Sequence, residues 1–207
     1  MKKQKGLDLL LNSQYNDTNP WLGKMMKNKN WQHYIQQAYE SLLCEHNTRE
    51  LGKFLANANE HMQVDWINSN TSLSVSMRDD EDHNGTGYDL ISESGLRIQS
   101  KFRGGKSLFI EQTRRISAKN TGAAATSGHV VPSLGECDVY VFTLPNDKYR
   151  DPTEAEILAI PEAALEDPKN PGFLVRSVRK NVQNKFRGRA KQVLESLESG
   201  GSCTASI

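Results

Sequence analysis

The chain of 207 residues predicts an α+β fold, a mixed β-sheet meander flanked by helices. Three observations lead there. Apolar residues recur at helical spacing from about residue 30 to 62, alternate as in strands from about 71 to 102, and return to helical spacing near the C-terminus. A chain of this length can bury one substantial core, so a single domain over residues 1–207 is expected.

The first 30 residues, rich in Asn, Lys and Gln and broken at Asn19-Pro20, read as an N-terminal arm, with a short helix over Leu7–Leu11 and Trp21-Leu22 docked on the body. A core over 30–165 follows. Trp31, Tyr34, Ile35, Ala38, Tyr39, Leu42 and Leu43 mark an amphipathic helix over about 30–46. Asn47 with Glu50 three residues later is a capping-box start for a second helix, carrying Leu51, Phe54, Leu55, Ala58 and Met62. From Val64 the pattern turns to β, and Thr71–Met77 alternates as a strand.

An acidic turn over 78–87 leads to a hairpin. Tyr88–Ile91 is β-prone, Ser92–Gly95 carries turn chemistry, and Leu96–Phe102 alternates. Ser107–Glu111 predicts a strand or a short helix start, and the small, polar, glycine-bearing stretch 117–135 resists assignment, parts of it expected to order only against a ligand. Asp138–Leu144 is a continuous apolar run of the kind buried at a sheet centre, ended by Pro145, Asn146 and Asp147. Ile157–Ile160 and Phe173–Arg176 read as short strands around a helical turn at Pro161–Leu165. Val178, Val182, Phe186, Ala190, Val193 and Leu197 predict one long final helix, weakened by Gly188. Residues 172–198 thus hold a strand and the C-terminal helix, and 199–207 a mobile tail.

The hairpin carries the chemistry. Side chains two apart on a strand share a face. Leu96, Ile98 and Phe102 can therefore enter a core while Arg97, Gln99, Lys101 and Arg103 face the other way, with Asp89 opposite on the partner strand. A carboxylate, a metal-capable oxygen and an ammonium are the ingredients of phosphodiester hydrolysis. The competing reading is the wet face of a half-exposed hairpin.

The arrangement resembles the PD-(D/E)xK nuclease superfamily, the fold of most restriction endonucleases. The motif likeness covers about residues 85–103, and the element order extends it to about 165. In that family an Asp on one strand and an acid-x-Lys on the next hold a divalent cation beside the scissile phosphate. Asp89 matches the Asp, Lys101 the Lys, Gln99 replaces the acid, and Tyr88 stands where a Pro is usual. Gln-x-Lys is a variant of Mrr-like and some restriction enzymes. The resemblance implies a restriction-endonuclease-like core and Mg²⁺ held by Asp89, the Ser100 backbone carbonyl and the Gln99 amide oxygen, with Lys101 neutralising the phosphate or orienting and deprotonating water.

A further acid is expected from the helix before the meander: Glu50 first, then Glu45 and Glu60. Capping explains Glu50 equally well. Glu93 is expected exposed on the turn, and Glu111 could instead face the metal.

Double-stranded DNA is the partner the resemblance implies. From Arg97 to Lys119 there are seven basic residues against Glu111 alone, and from Arg176 to Lys191 seven more with no acid, although the whole chain is only +1. Arg103, Lys106, Arg114, Arg115 and Lys119 are expected on phosphates or guanine edges, with Asn120, Thr121, Ser127 and His129 on bases or backbone and Gly122 and Gly128 permitting close approach. On the final helix Arg179, Lys180, Lys185, Arg187 and Arg189 form either a solvated face or a second phosphate contact.

The expected activity is a Mg²⁺-dependent type II restriction endonuclease, acting as a homodimer on a short duplex site. The alternatives are a repair, recombination or Mrr-like modified-DNA nuclease, and a non-catalytic DNA-binding protein on a decayed nuclease fold.

Other chemistries find little purchase. Cys44, Cys137 and Cys203 lack metal-ligand spacing, and His33, His46, His61, His83 and His129 show no zinc pattern. Gly85-Thr-Gly87 lacks the setting of a nucleotide loop, and no G-x-S-x-G occurs. The N-terminus does not read as a signal peptide and no apolar run is long enough to cross a bilayer, so a soluble, cytoplasmic protein is expected.

Overall fold

The computed structural model describes residues 29–43, 51–78, 87–102, 107–110, 112–116, 126–130, 132–144 and 155–201, with backbone alone at 39–43, 51–55, 112–116 and 126–130. In chain order these form α1 (Lys29–Leu43), α2 (Leu51–Asn70), β1 (Val75–Met77), β2 (Leu90–Ser92), β3 (Arg97–Phe102), β4 (Gln112–Ile116), β5 (Thr126–Val130), β6 (Val139–Leu144), β7 (Glu156–Pro161), a 3₁₀ turn (Glu162–Leu165), α3 (Lys180–Phe186) and α4 (Ala190–Glu198).

Five strands make one mixed sheet in the order β1-β2-β3-β6-β7, while β4 and β5 pair separately. β1, β2 and β3 are an antiparallel meander. β6 returns parallel to β3, and β7 folds back antiparallel to β6. β6 lies between β3 and β7, and its Val-Tyr-Val-Phe-Thr-Leu is buried at every position, which only a strand covered on both faces allows.

Register assigns the faces. Gln99 lies beside Tyr140 and Lys101 beside Phe142, while Ile98, Ser100 and Phe102 lie beside Val139, Val141 and Thr143. Neighbours in register share a face, so Gln99, Lys101, Tyr140 and Phe142 occupy one side and Ser100, Val141 and Thr143 the other. α2 covers the second side. Asn59 Nδ2 donates to Ser100 Oγ at 2.8 Å, and Gln63 Nε2 donates to Thr143 Oγ1 at 2.9 Å and to the Val141 carbonyl at 3.1 Å. α1 adds Trp31, edge-on to Phe102 with ring centroids 5.9 Å apart.

Two clamps fix β3 at its start. The Ser92 hydroxyl accepts the Leu96 N–H at 2.9 Å across the turn, whose Gly95 has φ +94°. Arg97 holds the start of β6 through Asp138, its guanidinium 2.8 Å from Oδ1 and its backbone N–H 2.7 Å from Oδ2. The hydrogen bond to Asp138 raises the Arg97 pKa; against burial, which pushes the Asp138 carboxyl up, the Arg97 bonds hold it below its ordinary value. Gly87 admits the chain to the hairpin. Its φ is +104°, and a Cβ there would lie 2.5 Å from the Glu136 carbonyl oxygen.

Three expectations are corrected. The β pattern does not begin at Val64, because α2 runs on to Asn70, with Ala58, Met62 and Ile67 in its buried stripe. The expected single C-terminal helix is two, broken where Gly188 takes φ +70°, a conformation the helix interior excludes. Phe173–Arg176 is no regular strand: Phe173 and Leu174 form isolated bridges to Ser133 and Glu166, and the adjacent Ser177 bridges Phe109, which takes the place of the strand or helix expected at 107–111. Within 117–135, Thr126–Val130 pairs with Gln112–Ile116. The arm, the acidic turn at 79–86 and the end of the tail lie outside the described residues. No helix among the described residues is long and apolar enough to cross a membrane.

Phe142 is 1% exposed and stacks on Tyr140 at 6.2 Å between centroids. Phe142→Ala is expected to cost about 3–5 kcal/mol in chemical denaturation. A loss under about 1 kcal/mol, within the range of an exposed site, would contradict its burial in the sheet interior.

Candidate active site

Asp89 stands one residue before β2, and both its backbone groups are tied down. Its N–H donates to the Ile98 carbonyl at 2.9 Å and its carbonyl accepts the Arg78 N–H at 3.0 Å. The carboxylate is thereby aimed along β3. Oδ2 accepts the Ser100 N–H at 2.9 Å and the Gln99 side-chain N–H. Gln99 Nε2 also lies 3.4 Å from the Ser100 carbonyl oxygen. Lys101 follows on the Gln99 face and is partly exposed, while Gln99 is only 6% exposed, so the wet-face reading does not hold for Gln99.

Glu60 of α2 joins this group. Burial and then the Asp89 charge push its carboxyl up to about 8, against a hydrogen bond from Asn57 and the pull of Lys101. Burial likewise raises Asp89, although Lys101, the Ser100 N–H, Arg78 and Gln99 all oppose it. Burial lowers the Lys101 ammonium despite attraction from Asp89, Cys137 and Glu60. Two acids and one base, each partly buried, therefore stand in each other's field, an environment in which proton affinities move.

Asp89, Gln99, the Ser100 backbone and Lys101 are together as expected. Gln99 differs in one respect: its nitrogen, not its oxygen, meets Asp89. An amide N–H beside a carboxylate is attractive, whereas amide oxygen against carboxylate repels unless positive charge lies between them. Half a turn about the last side-chain bond exchanges the two atoms. The NH₂ thus sits between the two oxygens expected to hold a cation, those of Asp89 and the Ser100 carbonyl.

The helix acid brought to this group is Glu60. Glu45, Glu50 and Glu111 lie outside the described side chains, and Glu93 is exposed on the turn, accepting from Ser74 Oγ at 2.8 Å. Asn59 and Gln63 were missed entirely. Both are buried, and Asn59 Oδ1 and Gln63 Oε1 have no hydrogen-bond partner among the described residues. Their signal was there to read: amides within a helical stripe otherwise filled by Ala58, Met62 and Ile67.

Among the expected DNA contacts, Arg114, Arg115 and His129 lie on the paired strands β4 and β5, Arg114 opposite Gly128 and His129 opposite Thr113. Arg103, Lys106, Lys119 and Asn120 are outside the described residues. Among the described residues no three His, Cys, Asp or Glu side chains gather as a metal site. The oxygens set together are the Asp89 carboxylate, the Ser100 carbonyl and, after rotation, the Gln99 amide oxygen, with the Glu60 carboxyl in their electrostatic field. That all-oxygen set suits a hard cation keeping part of its water, and not zinc.

The one described thiol, Cys137, is buried in the core. Burial and the neighbouring Glu162 push Cys137 far up, and Glu162 instead accepts the Gly135 N–H at 2.6 Å and the Cys137 N–H at 3.2 Å, fixing the turn before β6. No protein-family model matches the chain, and no curated protein matches its sequence.

Because the folded pKa of Glu60 is raised from 4.5 to about 8, its contribution to stability is complete below pH 4.5 and is lost as pH rises towards 8. Glu60→Gln should flatten the pH dependence of the unfolding midpoint across that window and stabilise the protein at its upper end. Parallel wild-type and variant profiles would place Glu60 in solvent.

Proposed function

We propose that this protein is a Mg²⁺-dependent endonuclease of restriction-endonuclease-like architecture that hydrolyses phosphodiester bonds of double-stranded DNA, most simply a site-specific enzyme of the type II restriction class acting as a homodimer. The observation that carries the reading is the convergence of Asp89, Gln99 and Lys101 on one face of the hairpin, with Glu60 within their field from the preceding helix. The order of helix, three-stranded meander, connection and parallel strand supports it.

Asp89, Glu60, the Ser100 carbonyl and the Gln99 oxygen would hold the cation, which supplies charge relief at the phosphate and a more acidic water. Each remaining role falls to the chain. The Ser100 N–H keeps the Asp89 carboxylate aimed at the site. Lys101, its ammonium destabilised by burial, is suited to exchange a proton with the attacking water or to neutralise a phosphate oxygen. Water oxygen forms a bond to phosphorus, the opposite P–O bond breaks in line, and the departing oxygen takes a proton from solvent. Gln99 supplies one negative charge fewer than an acid would, which weakens cation binding without removing a ligand.

Unmodified phage DNA incubated with Mg²⁺ should give discrete bands. A smear would indicate a nuclease without site specificity, and intact DNA that the protein nonetheless binds would leave a DNA-binding protein without chemistry. Lys101→Ala is expected to slow cleavage by about 10²-fold or more while duplex affinity in Ca²⁺ stays within about twofold. Wild-type cleavage by this variant removes Lys101 from the reaction. Gln99→Glu should tighten Mn²⁺ binding by calorimetry, and an unchanged titration would turn Gln99 away from the ion.

A further inference from the structure

Between Arg176 and Lys191 the chain carries seven basic residues and no acid, in a protein whose net charge is only +1. All seven are exposed, while Val178, Phe186 and Ala190 of the same stretch are buried. α3 and its flanks are thus fixed by their apolar side and show solvent a single sign of charge. Among the described residues Arg187 pairs with Glu156 at 2.9 Å, and Lys191 lies 3.9 Å from Glu195. Arg179, Lys180, Lys185 and Arg189 meet no carboxylate among the described residues, and Lys185 rests against the Phe186 ring.

At the start of α3 the fold gains nothing from this arrangement. The first turn of α3 has no acid, and Arg179 at the N-cap makes no side-chain cap. Cations there oppose the helix dipole, and like charges crowd one another. Residues that break local rules without structural return mark surfaces shaped by a partner.

The band also meets the segment that follows β3. Ile110 N–H donates to the Arg176 carbonyl at 3.1 Å and Val178 N–H to the Leu108 carbonyl at 2.8 Å, so the band begins against the segment that follows β3. Six residue steps lead from Lys101 to Ser107, a span of at most about 22 Å, or about six base-pair steps along a duplex.

We propose that Arg179, Lys180, Lys185 and Arg189 form a phosphate-tracking face that grips the DNA backbone to one side of the scissile bond without reading bases. It is distinct from the contacts expected of residues 103–129. The proposal rests on the nuclease reading for its partner, and binding is measured apart from cleavage so that the two can fail separately.

The experiment is fluorescence anisotropy with a duplex of about 30 base pairs, in Ca²⁺, over about 50–200 mM salt. Changing all four residues to Gln should weaken binding at least tenfold and reduce the salt slope of log K by about 0.9 for each lost contact. The Arg179→Asp/Lys180→Glu pair gives α3 the first-turn acids it lacks, so its melting temperature should equal or exceed wild type while its DNA affinity falls. That combination separates lost contacts from lost folding. Unchanged affinity and slope in the four-Gln variant overturn the face and leave the nuclease reading intact. Wild-type protein that binds duplex through these residues yet cleaves no DNA keeps the face and removes the nuclease reading. Wild type that binds no duplex overturns both.

Discussion

Two partly buried carboxylates beside a single ammonium are the constraint around which the described structure is arranged. Taking Asp89, Glu60 and Lys101 partly out of water is unfavourable for each, and the two carboxylates are opposed by Lys101 and, more weakly at Asp89, by Arg78. Glu60 answers by holding its proton up to about pH 8, and Asp89 by collecting N–H donors from Ser100 and Gln99. Packed apolar side chains in these places would give a more stable sheet. Retaining charge there makes sense where a further cation completes the balance, and the donors present are the oxygens such a cation takes.

The scaffold holds this group in place from the other side of the sheet. Ser100 faces two ways at once: its peptide N–H steadies Asp89, while its hydroxyl is held by Asn59 through α2. Gln63, one turn further along, ties the same helix to β6. Because Asn59 and Glu60 are adjacent, the bond that docks α2 on β3 also sets where Glu60 stands. Placement of the helix acid and of the strand carboxylate is therefore one structural event.

The hairpin was legible in the sequence because strand alternation has a period of two and leaves no freedom about which residues share a face. Gln99 and Lys101 had to lie together, and the turn at Ser92–Gly95 put Asp89 opposite them. The helix contribution was not legible in the same way. Capping chemistry pointed to Glu50, but which acid reaches the sheet depends on the angle and depth at which α2 packs, and nothing local encodes those. The end of α2 escaped too, since Val64, Trp66 and Ile67 suit strand and helix alike and only burial of Met62 and Ile67 along one stripe decides. Gly188 was read as a weak point in one helix, while its positive φ makes it a boundary between two. The direction of the Gln99 amide had no sequence signal at all, because its nitrogen and oxygen differ only in what they meet.

Soaking a crystal of the protein with Mn²⁺ and locating the ion by anomalous scattering tests this picture at its root. The account predicts one strong peak in bonding range of the Asp89 carboxylate and the Ser100 carbonyl, with the Gln99 amide turned to present its oxygen and Glu60 on the ion directly or through water. A well-ordered site with no peak there, and Gln99 still donating to Asp89 in saturating Mn²⁺, would contradict it.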